Sequence, residues 1–217
     1  FITHFPDEER EAGRPLKTAP CYERLKKMGA VFGQKFGWER ANWFATEGMT
    51  QKDDWSFRRS KWFDAIRYEV NNVTNNVGLL DMTAFAKCRI SGVEAGKFLD
   101  DLLANKVPSK NGQIALSHAL NSKGGIHSEF TVLKEADDSF YLVSAGALQR
   151  LDHDFLRRFF PADQKIKFEN LTDEMGVFVL AGPKSRLLLE KVSKSDFSNE
   201  AFLWLTGKQI KLGDCSM

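Results

Sequence analysis

Glu129 is the residue whose type and position could carry out proton chemistry. It lies in the middle of a predicted strand over residues 126–133, where side chains alternate between two faces. The alternation groups it with His127, Thr131 and Leu133 on one face. Glutamate is disfavoured in strands and is usually solvated there, so spacing alone favours a solvated face. If this face instead lines a pocket, the carboxylate could accept a proton or anchor a hydrogen bond.

Other candidate motifs do not meet the spacing that their chemistry requires. Residues 92–97 contain two glycines and a lysine, but only three residues separate the glycines and Phe98 follows the lysine. A phosphate-binding loop needs four and a Ser or Thr, so a helix start explains this run better. No GxGxxG occurs in the sequence, which predicts no dinucleotide site of its own. His118 and His127 could face each other across a hairpin, but no metal-ligand spacing is present and we expect no metal site.

The composition limits the class of partner. Thirty-one Lys and Arg against 29 Asp and Glu leave a formal charge of +2, which gives no general reason to expect nucleic acid. The longest uncharged stretches fall well short of the roughly 18 apolar residues of a membrane helix. Three widely separated cysteines favour a reducing compartment over a disulfide framework. We therefore expect a soluble globular protein that binds neither nucleic acid nor a membrane.

Apolar spacing predicts the elements that position Glu129. Spacings of three and four residues predict helices at 22–28, from Trp62 to about Gly78, and at 93–103, 148–160 and 185–192. The apolar faces of two of them are predicted as Trp62, Ile66, Val70 and Val73, and as Leu148, Leu151, Phe155 and Phe159. Strands are predicted at 85–90, 114–120, 126–133, 140–144, 166–168 and 176–180, with a last strand and turn over 204–212. The central strands form an antiparallel meander, so the fold class is α+β, with antiparallel sheets and packed helices.

Residues 1–60 differ in composition from the rest of the chain. Glycine and proline punctuate them, and aromatic residues are dense around Trp38 and Trp43. This composition is typical of a long wrapping arm with one short helix, whose aromatic side chains pack on another domain or on the body of this one. An ordinary irregular N-terminal segment fits the composition equally well.

Four segments of the sequence carry a recognisable pattern. The strand and turn around Glu129 read Gly112-x-x-x-x-Ser117-x-x-Leu120-Asn121-x-x-Gly124-Gly125-Ile126-x-Ser128-Glu129-x-x-Val132. Residues 80–85 read Leu-Asp-Met-Thr-Ala-Phe, and residues 181–183 read Ala-Gly-Pro. These segments resemble the folate-site strand, the Asp-Val-Ser-His-Met segment and the Gln-Gly-Pro turn of the glycine-cleavage T-protein (aminomethyltransferase) family. Residues 12–45 are similar to the segment that joins the flavin half to the folate half in dimethylglycine and sarcosine dehydrogenases.

The resemblance implies a tetrahydrofolate site and assigns residues to it. Glu129 stands at the second of two acidic positions after the Gly-Gly turn and is the implied proton acceptor, while Ser128 replaces the first. Phe85 stands where the family's segment has its Met. The other implied pocket residues are Leu116, where some members have a Tyr, and Tyr141, Val143 and Ser144 on the pocket strand. Ser144 or Ala145 replaces an Asn of the family.

The resemblance also implies a domain organisation. Residues 1–60 are expected to be an arm or linker from a preceding flavin half. Residues 61–217 are expected to be the N-terminal part of an aminomethyltransferase-like folate-binding domain, incomplete at its C-terminus. The FAD is expected in the separate flavin half, in the same full-length polypeptide.

The implied function is one-carbon transfer. In enzymes of this kind the flavin half oxidises an N-methyl amine, and tetrahydrofolate takes up the carbon as 5,10-methylenetetrahydrofolate. We expect the chain to bind folate and the amine-derived one-carbon unit as the transfer module of an N-methylglycine demethylase, in the cytoplasm or in the mitochondrial matrix of a eukaryote. The alternative is a non-catalytic folate-binding or interaction module that keeps the fold, and the serines at 128 and 144 support it.

Overall fold

A computed structural model describes residues 8–162 and 165–216 of the chain. The first seven residues of the predicted arm, His4 among them, lie outside the described residues. The chain forms two compact units. The first comprises the residues up to 84 together with 176–188, and the second comprises 85–175 together with the residues from 189 onward.

Helices and antiparallel strands are interleaved along the described chain. The helices are α1 (Tyr22–Lys27), α2 (Phe63–Asn75), α3 (Ala95–Leu102), α4 (Gln149–Arg158) and α5 (Ser185–Val192), with a short 3-10 turn at Gly146–Leu148 before α4. The strands are β1 (Ala30–Lys35), β2 (Trp38–Phe44), β3 (Gly78–Asp81), β4 (Ala86–Ser91), β5 (Ile114–Leu120), β6 (Ile126–Ala136), β7 (Ser139–Ser144), β8 (Lys167–Asn170), β9 (Phe178–Ala181), β10 (Lys211–Leu212) and β11 (Cys215–Ser216). The predicted α+β class is confirmed. Among the described helices, none is long and apolar enough to cross a membrane.

A hairpin of β1 and β2 replaces the irregular arm predicted for this region. Phe36 and Gly37 form its turn with φ angles of 53° and 86°, a conformation that a two-residue hairpin loop requires. The prediction that the two tryptophans are buried is confirmed, since Trp38 and Trp43 are 7% and 3% exposed. Trp43 packs with Val31 and with Ala65 of α2 in a small core of the first unit. The hairpin therefore shares its core with α2 of the same unit.

The rest of the first unit pairs β3 with β9. Gly78 lies opposite Ala181 in this antiparallel pair, and α2 ends at Asn75, earlier than predicted. Val70 is 56% exposed, so its predicted place on the inward face of α2 is wrong. Gly182 follows β9 with φ of 115°, and a Cβ there would lie 2.6 Å from two backbone carbonyl oxygens, so this turn requires glycine.

The second unit is built on one antiparallel sheet with the strand order β5-β6-β7-β4-β8. The predicted meander is confirmed as its first three strands. Helices α3 and α4 cover one face of the sheet and contribute Leu99, Phe155 and Leu156 to the apolar core, which meets Phe130 and Leu142 from the strands. Burial of such side chains contributes about 1.5–3 kcal/mol each to folding.

Two predicted features of the second unit are wrong. Leu151 and Phe159 of the predicted inward face of α4 are about half exposed, and the buried residues of this helix are Asp152, Phe155 and Leu156. No strand runs from residue 204, because only Lys211–Leu212 of that segment pairs, with Cys215–Ser216. Gln113 makes an isolated bridge with Thr206 instead.

Candidate functional site

The five-stranded sheet has two faces with different surroundings. Its inner face lies against α3 and α4 and carries Phe130, Val132 and Leu142, which are almost completely buried. The opposite face, called the outer face below, carries alternate residues of the same strands. Its residues on the first three strands are Ile114, Leu116, His118, Glu129, Thr131, Leu133, Tyr141 and Val143. The candidate site lies on this outer face.

Glu129 lies directly opposite His118 in the register of β5 and β6. The His118 Nε2 atom and the Glu129 Oε2 atom are 3.0 Å apart, which is hydrogen-bond distance. The Glu129 side chain is 58% exposed and that of His118 is 35% exposed, so the carboxylate is open to a bound molecule. The hypothesis that His118 faces His127 across the hairpin is wrong, because Glu129 takes that place.

Apolar side chains lie next to Glu129 on the same face. Thr131 lies opposite Leu116 on one side and Val143 on the other, in the row that follows Glu129. Leu116 is 48% exposed on β5, the edge strand of the sheet, so its apolar surface is accessible from this face. Tyr141 lies one row further, opposite Leu133. Three of the implied pocket residues thus share the face of Glu129.

Tyr141 keeps its proton in this setting. Burial raises the pKa of Tyr141 to about 12, and the nearby Glu135 carboxylate contributes in the same direction. Its cross-strand neighbour on β4 is Arg89, which binds Glu135 in two hydrogen bonds of 2.6 and 3.0 Å. This charge pair, which sequence reasoning missed, raises the pKa of Arg89 and bounds the apolar part of the outer face.

Ser144 lies on the other face of the sheet. Its Oγ donates a hydrogen bond of 2.6 Å to Asp152 Oδ2 of α4, and Ser128 Oγ donates one of the same length to Asp152 Oδ1. All three side chains are buried, and Asp152 is fully so. The Ser144 side chain is therefore separated from the outer face by the thickness of the sheet. Phe85, the remaining predicted residue, is half-buried in a bend directly before β4.

The sequence contains a signal for the buried Asp152 that was not used in the predictions above. Position 152 lies four residues after Leu148 and three before Phe155, so it falls on the apolar stripe of α4. A carboxylate in such a stripe is almost never fully buried unless it is paired. Ser128 and Ser144, at inner-face positions of the neighbouring strands β6 and β7, are the partners that satisfy this carboxylate.

A bulge in β6 changes the face of one predicted neighbour of Glu129. Leu120 pairs with Ile126 and Ala119 with Ser128, so His127 is an extra residue with no opposite partner. Its ring stacks on Phe155 of α4 with centroids 4.5 Å apart. The predicted alternation is therefore wrong at His127, which lies on the side of α4 rather than beside Glu129. Its Nε2 atom is buried and has no hydrogen-bond partner among the residues that the structure describes.

Comparison with known proteins identifies the family. The model of the GCVT N-terminal domain matches residues 21–217. The chain belongs to the glycine-cleavage T-protein family. An aminomethyltransferase T of the glycine cleavage system from Bartonella henselae has a similar fold, with a TM-score of 0.71 and 23% identity over 88% of this chain and 47% of the other. The fold predicted from the resemblance is thereby confirmed.

Two relatives of this chain of the T-protein family carry names of different classes, one an enzyme and the other a regulatory subunit. Mitochondrial dimethylglycine dehydrogenase of Mus musculus is 33% identical over 98% of the chain and 24% of its own length. The mitochondrial pyruvate dehydrogenase phosphatase regulatory subunit of the same species is 27% identical over 96% of the chain and 24% of its own length. The chain therefore spans about a quarter of each of these relatives.

Proposed function

We propose that the chain is the tetrahydrofolate-binding, one-carbon transfer module of a flavin-dependent N-methylglycine demethylase. In this proposal residues 1–60 join it to a flavin domain of the same polypeptide, which holds the FAD, and residues 61–217 belong to the folate-binding domain. The product is 5,10-methylenetetrahydrofolate. In a eukaryote the protein works in the mitochondrial matrix, as the name of the dimethylglycine dehydrogenase relative suggests.

One observation carries the proposal: an accessible carboxylate lies beside apolar side chains on one face of a sheet. The Glu129 carboxylate is 58% exposed, and Leu116, Val143 and Tyr141 follow it on the same face. A pterin ring is flat with polar edges, so the apolar side chains suit its face and the carboxylate suits its N–H groups. The Tyr141 phenol, which stays protonated, suits an acceptor atom at the ring edge.

Glu129 has a definite task in this reaction. The N5 and N10 atoms of tetrahydrofolate each lose a proton when the carbon is taken up, so a positioned base lowers the barrier. Glu129 is the proposed base. Leu116, Tyr141, Val143 and Phe85 are proposed to contact the folate, whereas the Ser144 hydroxyl is already bound to Asp152 and is proposed as a support of the sheet.

A second function is supported by the similarity to a phosphatase regulatory subunit. That relative is named as regulatory, so a chain of this family could bind folate or a partner protein without catalysis. Ser128 favours this reading as well, because the family resemblance places an acidic residue there. The two functions differ in what happens to the one-carbon unit.

Titration and capture with the full-length protein that carries this chain separate the two functions. Tetrahydrofolate is titrated first, and formaldehyde released from the oxidised amine is then measured with and without it. The transfer module predicts saturable binding and a fall in free formaldehyde matched by methylenetetrahydrofolate. Binding without capture would favour the non-catalytic module, and absence of binding would contradict both folate functions.

A further inference from the structure

His118 is placed to act on Glu129 and on no other described carboxylate of the outer face. The two residues are cross-strand partners in the middle of β5 and β6, with Nε2 and Oε2 3.0 Å apart. The other carboxylates of this face, Glu135 and Glu169, are bound to Arg89 and Lys167. Glu129 is thus paired with an imidazole ring, while its neighbours are paired with Arg and Lys side chains.

The pair is poorly explained as a device for stability. Both side chains are partly exposed, and an ion pair between exposed side chains contributes little to the free energy of folding. The strands are already held by a regular ladder from Ile114 to Ala119. A glutamate in mid-strand is moreover disfavoured by its own propensity. The arrangement therefore suggests a role beyond holding the hairpin together.

The proton balance of the proposed reaction supplies that role. The methylene carbon forms new bonds to N5 and N10 of tetrahydrofolate, and its bond to the amine nitrogen breaks. N5 and N10 each give up one proton, and the departing amine gains both, so no proton is released overall. The group that takes a proton must keep it at the site and return it. An exposed carboxylate alone holds a proton poorly near neutral pH, whereas an imidazole exchanges protons in this range.

We propose that His118 is a positioning residue that acts through Glu129: it orients the carboxylate and holds the transferred proton between its removal from folate and its return to the amine. This inference rests on the proposed function. In the tautomer with its proton on Nδ1, His118 accepts the proton at Nε2 from the protonated Glu129 across the 3.0 Å contact. The imidazolium that forms then donates its Nε2–H to the restored carboxylate and orients it.

The test uses the full-length protein with two variants of His118. His118→Gln retains an N–H that can donate to Glu129 but cannot take up a proton, and His118→Ala removes both capacities. We expect amine oxidation and the KM for tetrahydrofolate to remain unchanged in both. The kcat for methylenetetrahydrofolate formation should fall about tenfold, less than the roughly hundredfold loss of a general base. Added imidazole should restore most of the rate of His118→Ala and leave His118→Gln unchanged.

Two comparisons make the outcome specific. Leu120→Gln, at an exposed apolar position of the same strand, is the control and should behave as wild type. The double variant His118→Ala with Glu129→Gln should be no slower than Glu129→Gln alone, because residues that act as a unit are not additive. Three results would overturn the role of His118 while leaving the proposed function standing, provided that the wild-type protein forms methylenetetrahydrofolate. The first is a wild-type kcat in the His118 variants, and the second is a double variant whose loss of kcat is the sum of the two single losses in free energy. The third is that added imidazole does not restore the rate of His118→Ala. A wild-type protein that forms no methylenetetrahydrofolate would overturn the proposed function itself, and this inference with it.

Discussion

Two carboxylates at one sheet, Asp152 and Glu129, have opposite environments. Asp152 is fully buried against the inner face and accepts hydrogen bonds of 2.6 Å from Ser128 and Ser144. Glu129 lies on the outer face, more than half exposed, with its Oε2 atom 3.0 Å from Nε2 of His118. Ser128 and Glu129 are consecutive residues of β6. One strand therefore contributes to the stability of the core with one residue and offers a reactive group with the next.

This difference follows from the alternation of a strand and from desolvation. A buried carboxylate must be satisfied by partners that fold with it, so Asp152 is saturated and unavailable to a ligand. An exposed carboxylate retains acceptor capacity that water or a ligand can use. Substitutions at Asp152 on the inner face should therefore change the free energy of unfolding, whereas substitutions at Glu129 on the outer face should change the proposed reaction.

Asp152→Ala should have the largest effect on stability. It leaves two buried hydroxyls without an acceptor, and an unsatisfied buried donor costs about 1–3 kcal/mol. We expect the free energy of unfolding in urea to fall by about 3 kcal/mol. Asp154→Ala is the matched control on the same helix, where the side chain is 62% exposed, and it should change the value by less than about 0.5 kcal/mol. Equal effects of the two variants would show that the buried cluster contributes no more than a surface pair.

Glu129→Gln should have the largest effect on chemistry. The amide keeps the size of the side chain and most of its hydrogen bonding but cannot accept a proton. In the full-length protein we expect amine oxidation to continue unchanged while methylenetetrahydrofolate formation falls about a hundredfold and formaldehyde accumulates. The measurement is the ratio of the two products at saturating tetrahydrofolate. Asp137→Asn, in the exposed turn after β6, is the control and should keep the wild-type ratio. A wild-type ratio in the Glu129→Gln variant would show that Glu129 is an ordinary solvated strand residue.

Glu129→Asp should have a smaller effect on the same ratio. It restores the residue type that the family resemblance gives at this position and keeps the carboxylate, one methylene shorter. We expect most of the methylenetetrahydrofolate formation to remain, with unfolding free energies of both Glu129 variants within about 0.5 kcal/mol of wild type. A loss as large as that of the Gln variant would mean that reach, rather than proton acceptance, sets the rate.

His153→Phe should have the smallest effect, on the pH dependence of stability. Burial lowers the pKa of His153, and the nearby Arg157 cation lowers it further. Below about pH 6.5 the unfolded chain takes up a proton that the folded chain resists, so stability falls as the pH falls. Phenylalanine preserves the ring contact with Phe168 and removes this titration. Unfolding midpoints of the variant should decline less than those of wild type between pH 7.5 and 5.5, and parallel declines would contradict this origin.

The sequence predicted the elements of the second unit well because their signals are local. The meander β5-β6-β7 has period-two alternation bounded by the Asn121–Gly125 turn, and α3 has its apolar residues at helical spacing. The outer-face position of Glu129, Leu116, Tyr141 and Val143 follows from the same alternation.

The failures have identifiable physical causes. The β1–β2 hairpin was missed because its turn uses Phe36 and Gly37, whereas Asn-Gly is the usual signal for this conformation. His127 was misplaced because a bulge depends on cross-strand pairing and not on the spacing within one strand. Asp152 was missed because its burial depends on two hydroxyls from other elements. The position of His127 and the burial of Asp152 thus depend on contacts between residues that are distant in sequence, which the local spacing pattern does not contain.

The cluster around Asp152 also bears on how this family can vary. The resemblance places an acidic residue where this chain has Ser128, whose Oγ is 2.6 Å from Asp152. Two carboxyl groups this close together in a buried site cannot both be ionised without a large cost, so an acid at position 128 beside Asp152 would force one of the two to stay protonated. Positions 128 and 152 should therefore covary: a homologue with an acidic residue at the position of Ser128 is expected to carry a neutral residue at the position of Asp152.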